Sequence, residues 1–441
     1  TLLAVARQME ADSSMNAIAK NKTAPRPLLP RLRFAGFRGE WGYQPLAELA
    51  TRSTRKNARC EINRVLTNSA EHGVVDQRDF FDKDIANPKN LEGYYIVEKG
   101  AYVYNPRISN AAPVGPVSKN NIATGIMSPL YTVFQFHGNG DEFYAHYFKT
   151  THWHQYMRES SSTGARHDRM SISNDAFMNL PLPVSTPAEQ QKIAACLSSL
   201  DTLITAQTQK LDTLKTHKKG LMQQLFPRAG ETTPRLRFAE FRDAGEWEAQ
   251  TLKEISEPVE ERVGDRSLTP ISISAGIGFV PQAEKFGRDI SGNQYKLYTV
   301  IRDGDFVYNK GNSLKFPQGC VYDLQGWGEA AAPNVFICFR LKTGYENAFY
   351  RQCFERNLHG IQLRKQITSG ARSNGLLNIS KEVFYGISIP TPQLEEQQKI
   401  AACLSSLDEL ITAQAQKVAA LQTHKKGLMQ QLFPVQSEAS A

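Results

Sequence analysis

Two stretches of the chain carry the same one-sided apolar stripe. In the first, Ile193, Leu197, Leu200, Ile204, Gln207, Leu211, Leu214, Lys218, Leu221 and Leu225 follow one another at alternating steps of four and three. In the second, Ile400, Leu404, Leu407, Ile411, Gln414, Val418, Leu421, Lys425, Leu428 and Leu432 repeat the pattern. Such spacing keeps every stripe residue on one seam and predicts two long heptad helices. Thr186-Pro187-Ala188-Glu189 reads as a capping box with proline at the first helical position, and Pro227 and Pro434 stop the helices. At about 1.5 Å per residue each is a rod of roughly 58 Å. A one-sided stripe needs a partner: the expected one is the other copy, in antiparallel pairing, and the alternative is that each helix packs on its own domain as a core helix. Gln207 and Gln414 would form polar layers that fix register, and Lys218 and Lys425 would snorkel outward near the helix ends.

Residues 40–185 and 246–390 show a different pattern. Short apolar runs punctuated by Gly and Asn predict strands at Tyr94-Tyr95-Ile96-Val97, Ala101-Tyr102-Val103-Tyr104, Tyr131-Thr132-Val133-Phe134 and Val335-Phe336-Ile337-Cys338-Phe339. Helices are expected over Asp141 to Arg158 and over Glu346 to Ile367. The fold class is therefore α+β, with two globular domains joined by two long helices forming an antiparallel coiled coil. The expected boundaries are a mobile tail at 1–29, a first domain at 30–185, a first helix at 186–227, a linker and second domain at 228–390, a second helix at 391–434 and a tail at 435–441.

The two halves are an internal duplication. Glu189 to Pro227 and Glu396 to Pro434 are identical at 33 of 39 positions. PRLRFAGFR from Pro30 and PRLRFAEFR from Pro234 open the copies, followed by Trp41 and Trp247; these frames read as packing elements. Tyr102-Val103-Tyr104-Asn105 echoes Phe306-Val307-Tyr308-Asn309, and Ser162-Thr163-Gly164-Ala165-Arg166 echoes Thr368-Ser369-Gly370-Ala371-Arg372. Elsewhere the copies diverge, so a shared frame surrounds two different interiors.

Composition narrows the class. The hydrophobic fraction is 41% and the charged fraction 22%, values of a globular protein. No apolar run reaches the ~18 residues a membrane helix needs. The start of the chain is a poor signal peptide, and Met15 is a candidate translation start. The net charge of +8 suits a polyanionic partner. Cys60, Cys196, Cys320, Cys338, Cys353 and Cys403 form no CxxC pair and read as reduced thiols of a cytoplasmic protein.

Three groups of residues are candidates for DNA contact, because Arg, Lys, Asn and Ser hold phosphates or read base edges. The first is Asn105, Arg107, Ser109, Asn110 and Lys119, with Lys310, Asn312, Ser313 and Lys315 as counterparts, all expected on exposed strand-to-strand loops. The second is Arg166, His167 and Arg169, with Arg372, Ser373 and Asn374, where glycine permits close backbone approach to a phosphate. The third is Arg55 and Lys56, within a basic run that includes Arg52, Asn57 and Arg59. His152-Trp153-His154 lacks a third ligand nearby, so no metal is expected. Nor is there a GxxxxGK[ST] loop, a glycine-rich cofactor turn, an Asn/Asp-Pro-Pro-aromatic tetrapeptide, a GxSxG or an HExxH motif; no catalytic residue is assigned.

Glu189-Gln190-Gln191-Lys192-Ile193-Ala194 and Glu396-Gln397-Gln398-Lys399-Ile400-Ala401, with Leu200-Asp201, Leu407-Asp408, the Lys-Lys-Gly-Leu-Met-Gln-Gln-Leu-Phe helix ends and the PRLRF openings, resemble the specificity subunit of a Type I restriction–modification system. The resemblance covers about residues 30–434. It implies two target recognition domains, each reading half of a split double-stranded DNA sequence. It also implies a coiled coil whose length sets the spacer between the halves. Two modification subunits would supply S-adenosylmethionine and adenine methylation. Restriction subunits, where present, would add ATP- and Mg2+-dependent translocation and cleavage. The chain itself would bind no cofactor. Two other classes remain at this level: a methyltransferase or nuclease fused to its reader, and a coiled-coil adaptor that binds protein only.

Overall fold

The computed structural model describes residues 28–80, 88–138, 141–161, 168–228, 230–274, 276–311, 316–367 and 377–435. Two compact units emerge, 1–206 with 418–441, and 207–417. Each long helix thus contributes one half to each unit.

The first half of the chain runs β1 (Gly42–Pro45), α1 (Leu46–Leu49), β2 (Ala50–Ser53), β3 (Leu66–Ser69), β4 (Gly73–Asp76), α2 (Gln77–Phe80), β5 (Tyr95–Val97), β6 (Tyr102–Tyr104), β7 (Val117–Lys119), β8 (Gly125–Met127), β9 (Thr132–Phe136), α3 (Asp141–Tyr147), α4 (His154–Glu159), α5 (Asn174–Met178), β10 (Pro181–Val184) and α6 (Pro187–Gln224). The second half runs β11 (Glu248–Thr251), α7 (Leu252–Ile255), β12 (Ser256–Pro258), β13 (Ile271–Ser274), β14 (Gly278–Pro281), α8 (Gln282–Phe286), β15 (Thr299–Arg302), β16 (Phe306–Asn309), β17 (Cys320–Asp323), β18 (Glu329–Ala332), β19 (Ile337–Leu341), α9 (Asn347–Glu355), α10 (Leu358–Leu363), α11 (Lys381–Tyr385), β20 (Ser388–Thr391) and α12 (Leu394–Leu432). The central sheets have the orders β2-β9-β6-β7 and β12-β19-β16-β17. Around them β1 pairs β10, β3 pairs β4 and β5 pairs β8, as β11 pairs β20, β13 pairs β14 and β15 pairs β18. The topology is duplicated even where the sequence is not. Among the described residues no helix is long and apolar enough to cross a membrane.

The inner strands β6 and β9, and β16 and β19, are buried on both faces over most of their length, which is why they read as apolar runs. Side chains alternate across a strand. Tyr102, Tyr104, Phe134 and Phe136 face the helical core, whereas Val103 and Val133 join a smaller cluster with Leu66, Val97 and Met127. In the second unit Phe306, Tyr308 and Phe339 face the helices, and Val307 and Cys338 face Ile271, Ile273 and Leu324.

The long helices enter these cores directly. In the first unit Ile193 and Leu197 of α6 and Phe433 just beyond α12 join the core, with Phe433 5.0 Å from the Phe143 ring. In the second, Ile400 and Leu404 of α12 join Phe226 just beyond α6, whose ring lies 5.2 Å from Phe349. Every stripe residue is buried or half-buried. Gln414 Nε2 donates to the Gln207 carbonyl and to its side-chain oxygen, both at 2.9 Å. Lys218 and Lys425 do not snorkel outward. Lys218 is buried against Asp408 at 2.7 Å and Glu355 at 2.8 Å, and Lys425 is buried against Asp201. A carboxylate from the other helix meets each ammonium and offsets part of its loss of water.

Three local expectations change. The helix expected over Asp141–Arg158 breaks between α3 and α4, where Thr150 Oγ1 donates to the Tyr147 carbonyl at 2.7 Å and Trp153 Nε1 to the Phe148 carbonyl at 3.2 Å. The one expected over Glu346–Ile367 breaks at Asn357, whose φ of 57° is a left-handed stop. The capping box at α6 is half made. Thr186 Oγ1 accepts from Glu189 N at 3.4 Å, but the Glu189 carboxylate takes Arg33 in a two-pronged pair at 2.6 and 2.8 Å and Trp41 Nε1 at 3.1 Å. Arg237 holds Glu396 in the same way, at 2.7 Å on both prongs. The PRLRF…Trp frames are therefore the sockets for the helix starts. Of the expected tail, 1–27 lies outside the described residues, and Leu28 is tied in through its carbonyl to Trp41 N at 3.0 Å.

Gly115 (φ +81°) and Gly319 (φ +79°) occupy equivalent turns before β7 and β17. A Cβ there would lie 2.1 Å from the Asn105 carbonyl oxygen and 2.4 Å from that of Asn309. Gly115→Ala and Gly319→Ala should each destabilise the chain by about 2 kcal/mol or more, whereas Gly138→Ala, with open space around it, should cost less; urea unfolding midpoints test the ranking. Burial also pushes His146 and His359 down to about 4. The folded chain resists protons that unfolded histidines accept near 6.5, so this stability is complete above pH ~6.5 and is lost as pH falls toward 4. Urea midpoints measured across that window should fall with pH, and His359→Asn should flatten the slope.

Candidate nucleic-acid interface

The loop that leaves β6 is built by the residues the two halves share. Tyr104 stacks on Phe177 at 4.4 Å, and its hydroxyl donates to the Val114 carbonyl at 3.0 Å. Tyr308 stacks on Phe384 at 4.3 Å and donates to the Gln318 carbonyl at 2.9 Å. Asn105 is buried. Its amide donates to the Asn68 carbonyl at 3.0 Å and its side-chain oxygen accepts from Arg107 N at 3.0 Å. Asn309 likewise accepts from Gly311 N at 2.8 Å. Asn105 is thus a brace for the turn, and its expected DNA contact is withdrawn.

What this scaffold presents is different in the two units. In the first, Ile108 N donates to the Asp168 carbonyl at 3.0 Å and Met170 N to the Pro106 carbonyl at 2.8 Å. This antiparallel bridge sets Arg107 opposite Arg169 and unites two loop groups that are 62 residues apart in sequence. Arg107 and Asn110 are exposed, and Ser109 Oγ accepts from Ala112 N at 3.2 Å within the turn. Beside them lies an open cleft of about 400 Å³ lined by Gln77, Tyr94, Arg107, Ser109 and Tyr131 among others. Gln77, Tyr94 and Tyr131 escaped the sequence reading because they come from separate strands and turns. In the second unit Leu377 N donates to the Lys310 carbonyl at 2.9 Å, and Lys310 Nζ reaches the Ile379 carbonyl at 3.4 Å. Arg166, His167, Asn312, Ser313, Lys315, Arg372, Ser373 and Asn374 lie outside the described residues.

One further expectation does not survive. Lys119 sits in β7, not in a loop, with a side chain only 11% exposed between Asp141 at 2.5 Å and Glu142 at 2.6 Å. Its charge is neutralised within the fold. In the third group Arg55 and Lys56 are exposed. Asn57 is buried and bonds the Ile62 carbonyl, and the exposed Arg55 pairs with Glu98 at 3.0 Å. Lys56 bridges to Tyr95 as Arg262 bridges to Thr299, so the two surfaces are equivalent. Around Arg262 stand Glu260, Glu261 and Asp265, paired with Lys381, Arg302 and Lys296 at 2.6 to 2.8 Å. No group of three or more His, Cys, Asp or Glu side chains able to hold a metal occurs among the described residues.

Comparison with known proteins agrees with this architecture. A family model described as the Type I restriction modification DNA specificity domain matches residues 68–216 and 319–423. The Type I restriction enzyme MjaVIII specificity subunit of Methanocaldococcus jannaschii is 25% identical over 294 residues, 62% of this chain and 65% of that protein. The putative MjaX specificity subunit of the same organism is 24% identical over 60% of this chain and 61% of its own length. The chain therefore spans slightly under two thirds of the length of these relatives. Among solved structures, the Type-I restriction-modification system S subunit from M. genitalium aligns over 93% of this chain and 100% of its own, with a TM-score of 0.54 at 13% identity. A chain from a study of complex assembly and conformational transition of the type I R-M system aligns over 93% and 99%, with a TM-score of 0.51 at 14% identity. At such identities the likeness is one of fold.

The reassignment of Lys119 has a direct test. Lys119→Met should lower stability by about 1–2 kcal/mol, since two carboxylates lose their partner. It should leave the salt dependence of DNA binding unchanged, which a titration at several salt concentrations measures.

Proposed function

Because this chain belongs to the Type I restriction modification DNA specificity family, we propose that it is a non-catalytic subunit that reads a two-part sequence in double-stranded DNA. Each globular unit reads one half. Two modification subunits bring S-adenosylmethionine and methylate adenines at the addressed site; restriction subunits, where the system has them, add ATP- and Mg2+-dependent cleavage. The long helices pair as an antiparallel coiled coil that sets the distance between the halves.

One observation carries the reading. The same strand order and the same Tyr and Asn turn braces occur twice, while the residues offered at the outer edge differ: Arg107 and Arg169 in the first unit, Lys310 and Gly311 in the second. Two equivalent platforms with unlike edges suit a split, asymmetric target. The coiled-coil reading is supported by pairs in which an early residue of one helix meets a late residue of the other: Asp408 with Lys218 in the second unit and Asp201 with Lys425 in the first.

Replacing residues 246–390 by the corresponding segment of another reader should change one half of the methylated sequence and leave the other intact. Mapping methylated adenines in cells that carry the system reads this out. Change in both halves, or in neither, would overturn the reading. Inserting one heptad into both helices should lengthen the spacer without altering the bases read in either half.

A further inference from the structure

The bridge between the two loops of the first unit is electrostatically unfavourable as it stands. The hydrogen bonds flank the Arg107–Arg169 pair and do not join it. In antiparallel pairing that is the closer of the two arrangements, with Cα atoms about 4.5 Å apart and both side chains on one face. Like charges directly opposite each other repel. Among the described residues nothing pairs with the Arg107 guanidinium, and it is exposed. Arg169 is three-quarters buried with only its neighbour Asp168 nearby, at 3.4 Å, and its Nε is buried without a hydrogen-bond partner. In the second unit the position held by the Asn309 brace, where the first unit has Arg107, is Gly311.

We propose that Arg107 and Arg169 form a two-guanidinium clamp for a single DNA phosphate beside the half-site read by the first unit. The inference rests on the DNA-reading function above and adds to it a contact at named positions of the first unit. Side chains that leave one face of the bridge can bring two guanidiniums to the same oxygen acceptors, and a phosphate removes the repulsion between them. The same donors also suit the O6 and N7 acceptors of guanine, so the phosphate assignment must be separated from base reading.

The test uses the full chain assembled with its modification subunits, and duplex DNA carrying the mapped target. Arg107→Gln and Arg169→Gln should each weaken binding by about tenfold and reduce the slope of affinity against salt by about one contact. The double variant should lose less than the product of the two, because both groups hold one phosphate. Arg107→Lys should keep the slope. Base preference in both halves should stay as in the parent when the site is randomised. The free chain carrying Arg107→Gln should melt no lower than the parent, since one of two opposed charges has gone. Unchanged affinity and slope would overturn the clamp. Relaxed preference at one base pair of the first half would assign the arginines to guanine instead, and a lower melting temperature would make Arg107 structural. Absence of salt-dependent binding by the parent complex would count against the DNA-reading function itself, a different result from any of these.

Discussion

A single buried carboxylate fixes how each domain meets its helix. Glu189 and Glu396 stand in the first turns of the long helices, each about 1% exposed, and each is held by an arginine from the segment that enters the domain. An ionised carboxylate so deeply buried is tolerable only when fully partnered. Arg33 and Arg237 supply a matching fork, and the placement of the entry segment, the tryptophan beneath it and the first helical turn all follow. The helix N-terminus favours the negative charge as well. Both the helix direction and the sheet that packs against it are set from this point.

Around that anchor the two units use the same grammar with different words. Phe226 and Phe433 plug equivalent aromatic pockets, and Tyr104 and Tyr308 brace equivalent turns. The polar cluster where helix meets domain differs, however. His146 and Lys149 approach Asp201 in the first unit, whereas Gln352 and Glu355 occupy the corresponding places near Asp408 and Lys218 in the second. The helices hardly change, so the domains carry the variation.

The long helices, the sheet strands and the family were legible in the sequence because each rests on periodicity or on direct repetition. The seam spacing, the alternation at Tyr102-Val103-Tyr104 and the two near-identical helices are local signals. The helix breaks at Thr150 and Asn357 were not legible, since they depend on a side chain finding a carbonyl and on one left-handed residue. The candidate site was legible only in part. Asn105 and Lys119 have the chemistry of DNA contacts but spend it inside the fold, and only tertiary geometry distinguishes the two uses. Conversely, Arg107 and Arg169 come from distant segments, and no spacing rule relates them. Among the described residues of the β6 and β16 turns, those the halves share are braces, and those that differ stand at the edge.

The Gln207–Gln414 contact gives the helix pair a property that an all-leucine seam would lack. In the second unit this contact and the Lys218 pair with Asp408 engage together only at one alignment of the helices. A slip by one heptad would bury an ammonium and two amides without partners, and intermediate slips would turn the stripe away from its mate. The paired helices therefore admit no gradual sliding. Their alignment is a digital quantity, one that whole repeats inserted or removed would preserve.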